Sequence, residues 1–183
     1  MDTFFEQIVK KKKTPAEWAI IIGTIVVAAV LLLAILNIPN LMVIPILPTL
    51  IMVGIGYGGW WLITSQNNEF EYCVTNGDID IDLITAKRKR KRIVSVVGRK
   101  VESLLPYDAA KVNEKTYQRV VIAAPSKKEA VLWCFTYHSK KNGHTLVVFQ
   151  PDQRVLRALF DGLQSLVKIE TRRAMQEKGI LFE

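Results

Sequence analysis

The sequence predicts a membrane α-helical hairpin joined to an α+β soluble domain, an antiparallel β-barrel or sandwich of about six or seven strands closed by a C-terminal amphipathic helix. Three patterns predict it. No charged residue lies between positions 18 and 63. Short β-like runs separated by Gly, Asn and Pro follow as far as residue 150, and the apolar period then becomes that of a helix. Four regions are expected: a cytoplasmic N-terminal segment (1–17), two transmembrane helices (18–64), a β-rich domain with its helix (65–168) and a polar tail (169–183).

The first predicted span is residues 18–36, an uncharged run that begins at Trp18. About 20 residues of helix cross the roughly 30 Å of hydrocarbon in a bilayer. Thr14 and Glu17 have capping-box spacing with Pro15 between them, so a helix is expected to begin here. A cleaved signal peptide is the alternative, but the run is longer than a typical signal sequence core and a second apolar run follows it.

The second span is predicted at about residues 44–64, after a proline-containing connector at 37–40. Its most regular part is 47–63. Gly54 and Gly58 have the GxxxG spacing that lets two helices approach closely. Packing of this face against the first span is expected, and homo-oligomerisation through the second span is the alternative.

The charges that flank the spans predict their orientation. Four lysines, at positions 10–13, precede the first span, whereas the connector between the spans has no charge. The positive-inside rule then places the N-terminus in the cytoplasm, and two spans return the chain to that side. We therefore expect a multi-pass protein of the bacterial plasma membrane with both termini cytoplasmic. The absence of ionisable residues within the spans argues against ion transport.

A β-hairpin is predicted directly after the second span. Residues 69–75 and 78–84 flank Asn76-Gly77, the strongest short-range signal for a two-residue type I′ turn. The resulting register puts six apolar side chains on one buried face: Phe70, Tyr72, Val74, Ile79, Ile81 and Leu83. The opposite face, called the acidic face below, carries Glu69, Glu71, Asp80 and Asp82. Directly opposed carboxylates are unfavourable unless cations lie nearby.

Six consecutive cations, called the basic run below, follow the hairpin: Lys87, Arg88, Lys89, Arg90, Lys91 and Arg92. They continue into β-branched residues, which predicts a third strand. About half of the cations would then lie over the acidic face as a charge ladder. The others would face anionic lipid or an acidic protein partner, at about 1 kcal/mol per cation near an anionic bilayer. Both arrangements can hold together, because alternate residues of a strand face opposite ways.

Further strands and one helix are expected in the rest of the chain. The strands are predicted at 100–105, 117–124, 130–138 and 144–150, the last two as a hairpin. A helix of about 17 residues should follow Pro151 and close the sheet. Its apolar face consists of Val155, Leu156, Leu159, Phe160, Leu163, Leu166 and Val167.

This layout resembles an uncharacterised bacterial family of small two-span membrane proteins with a pleckstrin-homology-like (PH-like) cytoplasmic domain. The resemblance covers residues 1–168 in layout, and the stretch FEYCVTNGDIDIDLITAKRKRKRIVSV is similar to the start of that family's soluble region. It implies a PH-like fold and supplies no catalytic residues.

No catalytic, cofactor-binding or metal-binding motif is recognised, so we predict neither an enzyme nor a bound cofactor or metal. Cys73 and Cys134 are expected to be buried, reduced thiols. His138 and His144 bracket a turn, but two histidines alone are weak grounds for a metal site.

The leading functional hypothesis is a non-catalytic, membrane-anchored interaction module. It would present a basic domain at the cytoplasmic face and bind a protein partner or anionic lipid through the basic run. The alternative is a membrane-tethered nucleic-acid-binding or regulatory protein. The chain has neither a helix-turn-helix nor a basic face interleaved with aromatic residues, so nucleic acid is not the expected partner.

Overall fold

The computed structural model describes residues 3–38, 46–110, 112–126 and 131–179. Within these ranges the chain forms eight strands, four α-helices and two short 3-10 helices. The strands are β1 (Phe4–Lys10), β2 (Asn68–Thr75), β3 (Asp78–Thr85), β4 (Lys89–Val96), β5 (Val101–Pro106), β6 (Arg119–Ala123), β7 (Trp133–Ser139) and β8 (Gly143–Phe149). The α-helices are α1 (Pro15–Leu36), α2 (Ile46–Ser65), α3 (Gln153–Gly162) and α4 (Ser165–Glu177), and the 3-10 helices are Gly98–Lys100 and Glu114–Thr116.

The chain divides into two compact units. The helical unit comprises Lys12–Asn68 together with Thr85–Arg88, and it holds α1 and α2. The sheet unit comprises Met1–Lys11, Glu69–Ile84 and Lys89–Glu183. The β3–β4 turn therefore clusters with the apolar helices and not with the strands that it joins.

Both helices of the helical unit are long and apolar enough to cross a membrane. Their mean hydropathies are 3.1 and 1.6, and only 11% and 6% of their most apolar windows are buried. A core helix of a soluble protein would be mostly buried, so these helices present their apolar surface outward. The predicted capping box begins α1: Thr14 Oγ1 accepts a hydrogen bond from Glu17 N at 3.3 Å, and the Glu17 carboxylate accepts one from Thr14 N at 2.7 Å. Positions 39–45, including the second half of the predicted connector at 37–40, lie outside the described residues.

The first sheet has the strand order β1-β2-β3-β4. Strand β1 runs antiparallel to β2, with Phe4 opposite Thr75 and Lys10 opposite Glu69. Helices α1 and α2 thus lie between β1 and β2 in the chain, and the two strands pair with each other. No strand is predicted from the sequence within residues 1–17, so β1 is an addition to the predicted fold.

The predicted Asn-Gly hairpin is confirmed. Asn76 and Gly77 have φ values of 53° and 87°, as a type I′ turn requires. Five of the six apolar side chains assigned to the inner face are buried, and Leu83 is partly buried against the same core.

The second sheet has the strand order β5-β7-β8-β6 and corrects one prediction. Strands β7 and β8 form the expected antiparallel hairpin. Strand β6, however, pairs with β8 in parallel, from Arg119 opposite Thr145 to Ala123 opposite Phe149. Strand β7 lies between β5 and β8, and β6 is the edge strand next to β8.

The main core lies among the two sheets and α3 and α4. Aromatic rings fill its centre: the ring of Phe149 meets those of Tyr72 and Phe135 edge-on, with centroids 5.7 and 5.3 Å apart. A smaller apolar cluster, around Cys134, Leu146 and Val148, lies apart from the main core.

The predicted C-terminal helix is broken into two. Helix α3 ends at Gly162, the backbone of Leu163 is extended, and α4 begins at Ser165. The break changes the phase of the apolar stripe, so Leu166 is 75% exposed instead of lying on the buried face. The first part of the predicted polar tail is helical as far as Glu177.

Candidate functional site

The acidic face of the first sheet holds two carboxylates that are almost completely buried. Glu71 is 1% exposed and Asp82 is 4% exposed, although neither belongs to the apolar inner face. A carboxylate in such a position requires a charged or hydrogen-bonding partner. Two arginines of the basic run are those partners.

Arg90 and Arg92 form the predicted charge ladder. Arg90 is ion-paired with Glu71 and lies 3.9 Å from Asp82. Arg92 lies 2.9 Å from Asp80 and 3.0 Å from Asp82, so each guanidinium bridges two acids. The planar fork of arginine suits this bridging better than the single ammonium of lysine.

Strand β4 does not keep one regular alternation along its length. Arg90 and Arg92 contact the acidic face, whereas Val94 and Val96 are buried in the core. Residues two apart along a regular strand share a face. The side-chain direction therefore changes between Arg92 and Val94, and this change lets one strand serve both the ladder and the core.

Glu71 is the most perturbed member of the acidic face. Burial raises its pKa first, the neighbouring side chain of Glu6 raises it further, and Arg90 opposes both effects. Glu71 Oε2 is buried and has no hydrogen-bond partner within the described residues. Burial and the neighbouring carboxylates also raise the pKa of the Cys73 thiol, which disfavours a reactive thiolate there.

The turn between β3 and β4, called the basic turn below, is Thr85–Arg88. The Arg88 guanidinium lies 4.8 Å from the centroid of the Trp60 ring, and Arg88 Nη2 donates to Thr64 Oγ1 at 3.2 Å. Ala86 N donates to the carbonyl of Asn67 at 2.7 Å. The basic turn is thus packed on the C-terminal end of α2.

The backbone of the basic turn is strained. Ala86 and Lys87 have φ values of 53° and 56°. This left-handed conformation costs a residue with a Cβ roughly 1–2 kcal/mol, which is why such turns favour Asn-Gly. The absence of that dipeptide explains why the sequence gives no turn signal here.

The three lysines of the basic run behave differently from its arginines. All three are exposed, and among the described residues no ion pair or hydrogen bond involves the side chain of Lys87, Lys89 or Lys91. All three arginines contact protein groups. The basic run therefore divides by residue type: its arginine side chains contact other groups of the protein, and its lysine side chains are exposed to solvent.

Two cation–aromatic contacts mark the helix ends that continue into the sheets. Lys13 Nζ lies 5.4 Å from the centroid of Trp18, near the start of α1, and Arg88 stacks on Trp60 near the end of α2. Both tryptophans are about half exposed, at 52% and 50%. Tryptophan with a flanking cation is typical of a membrane–water interface.

The glycine spacing in α2 does not mark its contact with α1. A Cβ added at Gly54 or Gly58 would meet no atom within 4 Å, whereas one at Gly59 would lie 3.8 Å from Thr24 Cγ2. Among the described residues, the contact between the helices is thus seen at Gly59, and a packing role for Gly54 and Gly58 stays a prediction. Homo-oligomerisation through this face stays a prediction.

The two histidines are neighbours across the second hairpin. His138 and His144 are opposite each other in the β7–β8 pair, and His144 Nε2 lies 2.9 Å from Glu102. No group of three or more metal-ligating side chains occurs in the part of the chain that the structure describes. Cys73 and Cys134 are both free thiols; Cys134 is buried as expected, whereas Cys73 is only partly buried.

A family model described as a bacterial PH-like domain, DUF6106, matches residues 1–168. The chain belongs to this family. The match includes β1 and both apolar helices as well as the sheets, so the helices are part of the family pattern. PH-like domains are generally non-catalytic, and the DUF6106 family suggests a module for protein or lipid interaction. Neither the curated proteins nor the solved structures include a match to the chain.

Proposed function

We propose that this PH-like protein is a non-catalytic interaction module, anchored in the bacterial plasma membrane by α1 and α2, that binds anionic lipid headgroups at the cytoplasmic surface through Lys87, Lys89 and Lys91. The observation that carries this proposal is the division of the basic run: its arginines are engaged with protein groups and its lysines are not.

Membrane anchoring is supported by the outward-facing apolar surfaces of α1 and α2 and by their length. The pairing of β1 with β2 supports a two-span topology, because the segments before α1 and after α2 then share one side of the bilayer. Four lysines before α1 favour the cytoplasm as that side.

Anionic lipid is favoured over an acidic protein by the position of the basic turn. Arg88 stacks on Trp60, an aromatic residue close to the end of a membrane-length helix, so the first cations of the run belong to an interfacial environment. Lysine is a flexible, strongly hydrated point charge that suits contact with a mobile headgroup.

The test uses the full chain reconstituted with equimolar phosphatidylglycerol and phosphatidylcholine, one of them brominated in its acyl chains. Quenching of Trp18, Trp60 and Trp61 then reports which lipid occupies the protein surface. We expect the triple variant K87Q/K89Q/K91Q to lower the preference for phosphatidylglycerol at least about fivefold, which corresponds to the loss of about 1 kcal/mol. The preference should also fall as salt is added.

Matched variants separate binding from structure. Lys140→Gln with Lys141→Gln removes two exposed lysines from the β7–β8 turn and should keep the preference. Arg90→Gln with Arg92→Gln should lower the unfolding temperature, because it leaves Glu71 and Asp82 buried without cations. A triple lysine variant that keeps the full preference for phosphatidylglycerol would show that the proposal is wrong.

A further inference from the structure

Two hairpin turns of the first sheet each place both of their central residues at positive φ, but they do so with different residue types. The β2–β3 turn uses Asn76 and Gly77, which adopt positive φ readily. The β3–β4 turn uses Ala86 and Lys87, which adopt it at a cost. Hydrogen bonds close the second turn, with Arg88 N donating to Thr85 O at 3.0 Å.

A strained residue that persists in a fold points to a role for its side chain. Of the two strained residues, Ala86 has no functional group, so the side chain to consider is that of Lys87. The neighbouring side chain of Arg88 is fixed on Trp60 and Thr64. Lys87 itself is exposed, and its ammonium group forms no hydrogen bond or ion pair with another described residue.

We infer that the ammonium group of Lys87 binds the phosphate of an anionic phospholipid beside Trp60, and that this binding is the function of a side chain placed on a strained turn. The inference rests on the proposed function and narrows it to one residue and one chemical group. All parts of this phosphate site belong to the helical unit, since Thr85–Arg88 clusters with α1 and α2. The lysine stem can follow apolar surface while its ammonium stays at the level of the headgroups.

Three single variants in the full chain separate charge from strain. Lys87→Gln removes the charge and keeps the strain, so the preference for brominated phosphatidylglycerol should fall about fivefold with little change in unfolding temperature. Lys87→Gly removes both the charge and the strain. The lipid preference should fall as in Lys87→Gln, and the unfolding midpoint should rise by about 2–4 °C. Ala86→Asn should raise the midpoint and leave the preference unchanged, because it relieves strain beside an intact lysine.

The outcomes distinguish this inference from the wider proposal. A Lys87→Gln variant with the full preference overturns the role of Lys87. If the double variant K89Q/K91Q loses the preference instead, lipid binding stands and only the assignment of Lys87 fails. If the triple variant also keeps the preference, both fail.

A final arm separates a lipid phosphate from free phosphate. Chloride is replaced by inorganic phosphate at equal ionic strength, and the lipid preference of the natural chain is measured again. A preserved preference supports a phospholipid headgroup as the ligand. A fall to the level of Lys87→Gln shows that the site takes free phosphate, which overturns the inference.

Discussion

At the scale of single residues, lysine and arginine alternate along residues 87–92 and differ in the contacts that they make. The guanidiniums of Arg90 and Arg92 neutralise carboxylates that would be costly to bury alone. A lysine in their place would offer one charge centre where two carboxylates need a bridge. Arginine and lysine carry the same charge, so the shape of the guanidinium group explains why the arginines form the ion pairs with the acidic face.

The buried Glu71 gives the stability of the protein a pH dependence. Because burial and Glu6 raise its pKa above the ordinary value of 4.5, the folded chain keeps this proton over a range in which the unfolded chain has lost it. The stability contribution is complete below the unfolded pKa and is lost as the pH rises through the folded pKa. Each tenfold difference in proton affinity between the folded and the unfolded chain changes the free energy of unfolding by up to about 1.4 kcal/mol.

We expect Glu71→Gln to abolish this dependence, because glutamine takes up no proton. Unfolding midpoints are measured by circular dichroism in a neutral detergent. The midpoint of the natural chain minus that of the variant should increase as the pH is lowered from about 8 to about 5. Glu177→Gln, at the exposed end of α4, controls for the loss of one carboxylate. Parallel midpoint profiles for the natural chain and Glu71→Gln would contradict the prediction.

At the scale of elements, three segments meet through glycine backbones. Gly77 in the β2–β3 turn, Gly98 after β4 and Gly162 at the end of α3 lie so close that a Cβ on any of them would come within 3 Å of backbone atoms of another. Gly98 N also donates to Asp78 Oδ1 at 3.0 Å. This contact positions the end of α3 against the hairpin at the point where the helix stops.

Substitution of Gly162 should therefore be costly. A Cβ there would lie 2.6 Å from the carbonyl oxygen of Gly77, and a backbone cannot move aside as a flexible side chain can. We expect Gly162→Ala to destabilise the sheet unit by about 1–3 kcal/mol, measured as a lower unfolding midpoint. Gly56→Ala is the matched control, since a Cβ at Gly56 meets nothing within 4 Å. Equal midpoints for the two variants would refute the close approach.

Sequence patterns predicted the elements whose signals are local. Asn76-Gly77 and the period of 2 on either side identified the first hairpin, and the capping box at Thr14 identified the start of α1. Alternating cations after an acidic hairpin predicted the ladder, although not which cations form it. These features depend on neighbours within a few residues, so the chain alone carries them.

Features that depend on distant partners were missed. Strand β1 is a short edge strand whose partner lies beyond two helices, and FFEQIVK alone gives little β signal. The break after Gly162 depends on the contact with Gly77, while the apolar period continues through it. The basic turn gives no sequence signal, because Ala86 and Lys87 are not residue types that favour positive φ.

At the scale of the whole molecule, the position of β1 constrains the topology. Seven residues of β1 pair with β2 although α1 and α2 separate them along the chain. A soluble fragment beginning near residue 65 would lack β1 and leave the edge of β2 unpaired. Studies of lipid binding and stability therefore require the full chain.

The same pairing predicts a cross-link that reports on topology in intact membranes. Glu6 lies opposite Cys73, so Glu6→Cys should form an intramolecular disulfide with the native thiol. Antiparallel partners have Cα atoms about 4.5–5.5 Å apart, within the range that a disulfide spans. Because burial raises the pKa of Cys73, the oxidation should be run at alkaline pH. Mass spectrometry of the digested protein measures the product.

Lys10→Cys is the matched control, because it lies on the same face but four residues farther along β1, about 13 Å away. We expect efficient cross-linking of Glu6→Cys and little of Lys10→Cys. If residues before α1 lay on the opposite side of the bilayer, about 30 Å of hydrocarbon would separate the two thiols and neither variant would cross-link. That result would exclude both the pairing of β1 with β2 in the membrane and a topology in which the helices return the chain to its starting side.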